Sequence, residues 1–377
     1  MHEPKHVLHI ITGLGLGGAE TILYRLLHFW TSNPNCTHTV ISLRNNLAFD
    51  LSGIGIKYKI FDLKDSKYKI PELLALFRYI KHQKPDLIHA WMYHACFISF
   101  ITCLLKIPVV WAIHHSLHDF NKESLSIRIL IRICSRVARL TFVKRIIYVS
   151  GVSKKHHEEF GYPKLKSIQI PNGFDCDHFA PNKSLRDSMR RDLNLPNDVF
   201  VIGSFGRFHP IKNHKLLIDA LSLLNKKGLN FCVLLAGDGM HESNSLLVEW
   251  VQSACLNFKV KLLGSYKDIA ILYNAIDLYV LSSNSESFPN VLGEAMATGV
   301  LCVATDVGDS RLIISGAGWV VPTKDPEQLA SAVFDAYKLQ YSQKAALSVR
   351  ARALIQSRFS LSSVSSMHEQ LYRSLFP

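Results

Sequence analysis

Two carboxylates, Glu286 and Glu294, bracket seven residues in the run ESFPNVLGE. A strand-like stretch, LYVLSS, precedes them, and a small-residue helix followed by VLCVAT comes after. Pro289 and Asn290 stand where a helix would begin, so Glu294 falls about one turn inside it. Backbone N–H groups at such a start attract an anion, and a carboxylate one turn deeper can accept from sugar hydroxyls. The pairing suits a sugar nucleotide, with diphosphate on the amides and a ribose diol on the glutamate. By themselves the two acids read equally well as solvated side chains beside an ordinary cap.

A second group lies in IGSFGRFHPIKNHKLLIDA, where Arg207 and Lys212 flank a proline-containing turn between strand and helix. Two cations at a strand's carboxyl end can neutralise a diphosphate leaving group without a metal. Cations near a helix start are also commonly just solvated. In AIHHSLHD (112–119), His114 and His115 end a strand-like run, placed to bond a sugar hydroxyl or the reacting centre, or to sit as ordinary loop residues. Near the start, Gly13, Gly15 and Gly18 of GLGLGG fit G-x-G-x-x-G. A dinucleotide site would need an acid at the end of the second strand, yet that strand ends ISLRNN. Arg44 stands there instead, leaving an NADP-dependent oxidoreductase as an alternative. The glycines also serve a tight turn, or bare backbone approaching a phosphoryl group.

Asp175 and Asp177 of DCD resemble the Asp-x-Asp of metal-dependent sugar transfer, but they sit in a turn-rich linker and not after a sheet strand. HHEEF (156–160) does not make H-E-x-x-H, no Cys/His set has zinc spacing, and G-x-S-x-G is absent. The expectation is therefore no metal, no cofactor and no serine hydrolase. In LSIRILIRICSRVARLTFVKR (125–145), Arg128, Arg132, Arg136 and Arg139 share one helical stripe, and Ile127, Leu130, Ile131, Cys134, Val137 and Ala138 the other. That pattern fits a helix lying on an anionic leaflet; the alternative is a surface helix packed on its own sheet.

The elements that must position these residues are legible as alternation. Strand-like runs at 7–11, 37–43, 57–61, 87–90, 109–113, 145–150 and 167–170 are separated by amphipathic stretches or loops. After the turn-rich run 170–184 come six more, at 199–205, 231–237, 260–264, 278–282, 300–304 and 318–321. This rhythm predicts α/β architecture, two doubly wound parallel sheets, with a ligand in the crevice at their strand carboxyl ends. The predicted domains are 1–175 and 176–359. Leu361, Val364, Met367, Leu371 and Leu375 space a closing helix over 360–377 that belongs with the first.

The 377 residues are 48% apolar and 19% charged, with 43 basic against 30 acidic side chains for a net charge of +13. That excludes a disordered chain and favours phosphate-rich partners. Eight scattered cysteines without a C-x-x-C pair fit a reducing compartment. The start has no cleavable-signal shape, and ACFISFITCLL (95–105), read as a buried helix, is too short to span a bilayer. A cytoplasmic protein, resting on a membrane face, is the expectation.

Taken in order, GGAE (17–20), IPNG (170–173), GRFHPIKN (206–213), AGDG (236–239) and ESFPNVLGEAMATG (286–299) resemble the retaining glycosyltransferases of family 4 over nearly the whole chain. The resemblance implies a GT-B fold: two Rossmann-like domains facing a central cleft, acceptor bound by the first, nucleotide sugar by the second, and the last helix crossing back. Arg207 and Lys212 match the family's diphosphate-binding pair, and Glu294 the acid that holds the ribose. Glu286 with the backbone of Phe288, Pro289, Asn290, Val291 and Leu292 matches the segment gripping the sugar and distal phosphate. Gly18, beside Gly17, matches the glycine that lets the first domain approach the donor. His114 matches the histidine near the anomeric carbon, with His115 as the other register. Turns near Gly237 and Ser265 would read the base, uridine by default. GDSRLII (308–314) lacks an acid the family often carries after its glycine, which bears on sugar selectivity. The implied partners are a nucleotide sugar, a lipid-linked glycan acceptor of lipopolysaccharide, capsule or exopolysaccharide assembly, and an anionic inner-membrane surface, with no nucleic acid. A non-catalytic sugar- or lipid-binding partner, or an epimerase on the same fold, are the rivals.

Overall fold

Every run read as a strand forms one in this computed structural model, which describes residues 4–15, 17–32, 36–63, 69–118, 120–196 and 198–376. The first seven are β1 (Lys5–Ile11), β2 (Cys36–Ser42), β3 (Lys57–Ile60), β4 (Leu87–Trp91), β5 (Val109–Ile113), β6 (Val143–Tyr148) and β7 (Ser167–Gln169). They pair in the order β3-β2-β1-β4-β5-β6-β7, parallel throughout. The other six are β8 (Phe200–Phe205), β9 (Phe231–Ala236), β10 (Val260–Leu262), β11 (Leu278–Leu281), β12 (Leu301–Thr305) and β13 (Trp319–Val321). Their order is β10-β9-β8-β11-β12-β13, again all parallel. Helices cover both faces of such sheets, which is why the strands read as near-continuous apolar runs. β4, β5, β8, β9, β11 and β12 are buried at every residue. In each sheet the winding reverses between two neighbours, β1 and β4 in one, β8 and β11 in the other.

The chain divides into two compact units, Met1–Gly173 with Leu361–Pro377, and Phe174–Ser360. The boundary thus lies two residues before the sequence-based one, and the run 170–184 is not a loose linker. Phe174 and Phe179 are buried. The Phe174 N–H donates to the Phe359 carbonyl at 2.8 Å, and the Arg352 guanidinium donates to the carbonyls of Cys176, Phe179 and Ala297. Asp175 Oδ1 accepts the N–H groups of Asp177 and His178, both at 3.0 Å. The DCD run therefore closes a turn.

Three expectations about helices in the first unit need correction. The run 95–105 is not one buried helix. An α-helix, Met92–Ile98, tightens into a 3-10 helix, Ser99–Leu105, and Phe97, Phe100 and Leu104 are exposed. Hydroxyls cause the change, because Ser99 Oγ donates to Cys96 O at 2.6 Å and Thr102 Oγ1 to Ser99 O at 2.7 Å. The closing helix, Leu361–Arg373, buries Leu361, Val364, Ser365, His368 and Tyr372, and leaves Met367 exposed. The helix Leu125–Val137 turns its apolar stripe onto its own sheet. Ile131, Cys134 and Ala138 are buried there, with Ile127, Leu130 and Val137 packed against the same core. That stripe is used up by the fold and is not open to a leaflet. Arg132, Arg136 and Arg139 stay exposed, while Arg128 is half-buried.

Candidate functional site

β8 and β11 are neighbours at the point where the second sheet's winding reverses, so the loops leaving their carboxyl ends diverge and open a crevice. The loop after β8 carries Arg207, then the 3-10 turn Pro210–Lys212, and Asn213 caps the helix His214–Lys226 by accepting from the Leu216 N–H at 3.3 Å. The loop after β11 is fastened to that turn. The Asn284 N–H donates to Ile211 O at 2.7 Å, Asn213 Nδ2 to Asn284 Oδ1 at 2.9 Å, and Ser282 Oγ to Lys212 O at 3.0 Å. Across this seam Lys212 Nζ lies 2.6 Å from Glu286 Oε1, which also accepts from Ser283 Oγ at 2.8 Å. The Arg207 side chain is exposed and has no hydrogen bond or ion pair among the described residues. Two of the three charges at the mouth are thus matched, and Arg207 carries the surplus.

The same loop runs through Phe288 into the helix Asn290–Ala297. Five other helices of this unit take a side-chain cap from Asn182, Asn213, Asn244, Asp268 or Asp325. Here the cap position is Pro289, which offers no such bond. A proline there presents no side-chain oxygen to the first turn, the place where an anion would bind. Glu294, one turn in, is only 7% exposed. Tyr273 Oη lies 3.2 Å from both Glu294 Oε2 and the Val291 carbonyl, its one proton serving either. Burial, reinforced by Glu294, pushes the Tyr273 hydroxyl well above its ordinary range, so it remains a donor. A Cβ on Gly293 would overlap the Phe174 ring, which is how this helix packs so close to the chain leaving the first unit. Gly237, after β9, has φ +139° and would drive a Cβ into the Gly206 carbonyl. Its N–H donates to Gly264 O at 2.7 Å and the Phe208 N–H to Asp238 O at 2.6 Å, which together join the loops after β8, β9 and β10. Ser265, with Tyr266, Lys267, Asp268 and His178, lines a cavity of about 620 Å³.

The remaining predicted residues belong to the first unit. His114 and His115 follow β5. The His114 ring stacks on Trp91 at 5.2 Å, and its Nδ1 is buried without a partner among the described residues. Burial lowers its pKa to about 3, so the ring is neutral. His115 Nε2 lies 3.2 Å from Glu123 Oε1, and Tyr93 Oη lies 3.4 Å from its Nδ1. Burial depresses its pKa and Glu123 pulls it back. A neutral ring with an unpaired nitrogen and a carboxylate-paired ring thus sit side by side after β5. Gly17 precedes the helix Gly18–Trp30, and a Cβ on Gly18 would meet open space. Arg44 is half-buried beyond β2. Leu16 of the glycine-rich turn and Asp119 lie outside the described residues. Among the described residues no three His, Cys, Asp or Glu side chains cluster as a metal site would need, and no helix is long and apolar enough to cross a membrane.

Sequence reasoning missed Ser283 and Tyr273, which hold the two glutamates, and Asn213 and Asn284, which join the loops. Of these only Asn213, just before a helical pattern, carried a local signal, that of an N-cap.

Residues 16–178 match the family described as Glycosyltransferase Family 4, and residues 199–338 the one described as Glycosyl transferases group 1. Bacillus subtilis EpsF is 27% identical over 316 residues, 80% of this chain and 79% of its own length. The Escherichia coli UDP-Gal:alpha-D-GlcNAc-diphosphoundecaprenol alpha-1,3-galactosyltransferase is 24% identical over 278 residues, 72% of this chain and 70% of its own. Among solved structures, Anabaena HepE in complex with UDP superposes with a TM-score of 0.84 at 23% identity, covering 98% of this chain and 100% of that one. At such identity the likeness speaks for the fold, which is GT-B, built from two Rossmann-like parallel-sheet units.

Proposed function

Because the chain belongs to glycosyltransferase family 4, we propose that it moves a sugar from a nucleoside diphosphate donor to a hydroxyl acceptor, with retention at the anomeric carbon. The carrying observation is the Lys212–Glu286–Ser283 cluster beside a helix mouth without a side-chain cap, with Glu294 held by Tyr273 one turn inside. Arg207, Lys212 and the first helical amides stabilise the departing diphosphate. Glu294 accepts from the ribose, and Glu286 from the transferred sugar. His114 or His115 serves the anomeric side. The cations do what a metal does in other transferases, so the reaction is proposed to be metal-independent.

Uridine is the proposed base, supported by the UDP bound to HepE and by the donor in the name of the Escherichia coli relative. That name also supports a lipid-linked acceptor, and the O-antigen and lipopolysaccharide-core names of two further relatives support a surface glycan. Titration with UDP, GDP and ADP, followed by NMR of the product's anomeric proton, tests the reading. Binding of none of them, or an inverted anomer, would sink the corresponding part.

The cytoplasmic membrane face is the proposed place of work. Contact there would come from the exposed guanidinium groups of Arg132, Arg136 and Arg139, with exposed Leu125 and Ile129, each cation near an anionic surface contributing roughly 1 kcal/mol. Equal sedimentation with anionic and neutral vesicles would count against it.

A further inference from the structure

We propose that Glu286 discriminates between the loaded donor and the spent nucleoside diphosphate, weakening the product's hold on the site; this rests on the donor reading above. Lys212 is not a bare cation waiting for phosphate. Its ammonium lies 2.6 Å from Glu286 Oε1, and side-chain exposures of 25% and 13% place the pair mostly out of water. Nor is the glutamate free to swing off. Its loop is tied to the Lys212 turn through Asn284, Asn213 and Ser282, and Thr305 Oγ1 donates to Ser283 O at 2.7 Å. On the far side, the Asp309 N–H donates to Ser287 O at 3.3 Å. Ser283 Oγ holds the carboxylate itself.

A phosphate that approaches Lys212 therefore meets a fixed negative charge a few ångströms beyond it. The donor compensates that carboxylate, because its sugar hydroxyls donate hydrogen bonds to an oxygen that has to share Lys212. Transfer removes the compensation. The bond between the anomeric carbon and the phosphate oxygen breaks, and its electron pair stays on that oxygen. The acceptor oxygen forms the new bond, and its proton passes to solvent. The sugar hydroxyls leave with the glycosyl group, and the terminal phosphate keeps one more negative charge, facing Glu286 at short range in a poorly solvated site. The same side chain thus favours the donor and repels the product.

Calorimetric titration of the full chain at pH 7.5 with UDP and with UDP-glucose tests this. Glu286→Gln keeps the shape and removes the charge. It is expected to bind UDP at least tenfold more tightly than the wild type, and UDP-glucose no more tightly. Glu286→Asp keeps the charge and should stay within about threefold of the wild type for UDP. Unchanged or weaker UDP binding by the Gln variant would overturn the proposal and leave the donor reading standing, and so would an equal gain in the Asp variant. Failure of the wild type to bind any of UDP, GDP or ADP would overturn both.

Discussion

The two units share a strand order over six strands, yet they handle polar groups in opposite ways. The second unit keeps charges near strand ends and, Arg207 apart, pairs those at its site and at the start of β8. Lys212 pairs with Glu286, and Arg186 and Arg190 meet Asp277 beside the start of β8. The first unit takes polar rings inside. His9, His38, His89, His114 and His368 gather around Trp30, Trp91 and Tyr372. The hydrogen bonds settle one tautomer: Trp91 Nε1 donates to His9 Nδ1 at 3.2 Å, so His9 Nε2 carries the proton and donates to His38 Nδ1 at 3.0 Å. A charge enters a low-dielectric site only with a partner, whereas an imidazole enters by staying neutral. One scaffold therefore yields a unit whose polar groups meet a ligand and another whose polar groups knit its interior.

The contrast can be broken most forcefully at the closing helix. A chain ending at Ser360 loses Leu361, Val364, His368 and Tyr372 from the first unit's core, together with the Trp30 Nε1–Ser365 Oγ bond of 2.6 Å. Loss of several large buried side chains should remove on the order of 5 kcal/mol or more. Two-stage thermal unfolding should then lose the first unit's transition and keep the second's. Next in size, Lys212→Ala or Arg207→Ala should lower turnover by roughly 10²–10³, since a preorganised anion donor is worth about 3–4 kcal/mol. Melting should stay unchanged in the Arg207 variant and fall in the Lys212 variant, which leaves Glu286 unpaired. Near-full turnover by both variants would remove them from the mechanism.

Acid sharpens the comparison further. Burial lowers the pKa values of His38, His114 and His368 to about 3, and those of His9 and His89 well below the ordinary 6.5. Below pH 6.5 the unfolded chain takes up protons that the folded first unit refuses. Stability is complete above pH 6.5 and falls as the pH drops toward 3, each group contributing up to about 1.4 kcal/mol per pH unit. Urea midpoints between pH 7.5 and 5 should show this slope in the first unit's transition, and His38→Phe should reduce it by one proton. The smallest effect is expected of Tyr273→Phe. It removes one hydrogen bond to Glu294, worth about 1 kcal/mol, and should raise the donor's KM a few-fold with kcat nearly intact.

Why some of this was legible in the sequence and some was not follows from the same contrast. Parallel strands announce themselves through β-branched runs, and a Pro-Asn helix start with an acid one turn later is local in the chain. Lys212 and Glu286 lie 74 positions apart. Only adjacent strands at the winding reversal bring them together, so their ion pair could not be read from either segment. The closing helix misled for a different reason. Its apolar spacing pointed to Met367, but the surface it meets presents His89 and Trp30, and the helix rotates to deliver Ser365, His368 and Tyr372. Period counting assumes an oily partner. The arginine helix obeyed the rule, and the sheet claimed its apolar side.

The return of residues 361–377 to the first unit has a consequence for biogenesis. Synthesis proceeds from the amino terminus, and contiguous domains can fold as they emerge from the ribosome. Residues 174–360 form such a stretch, whereas the unit begun first cannot close until residues 361–377 have left the exit tunnel. The nascent chain would thus carry the first unit open while residues 174–360 are being made, and a stop codon before residue 361 would strand it in that state.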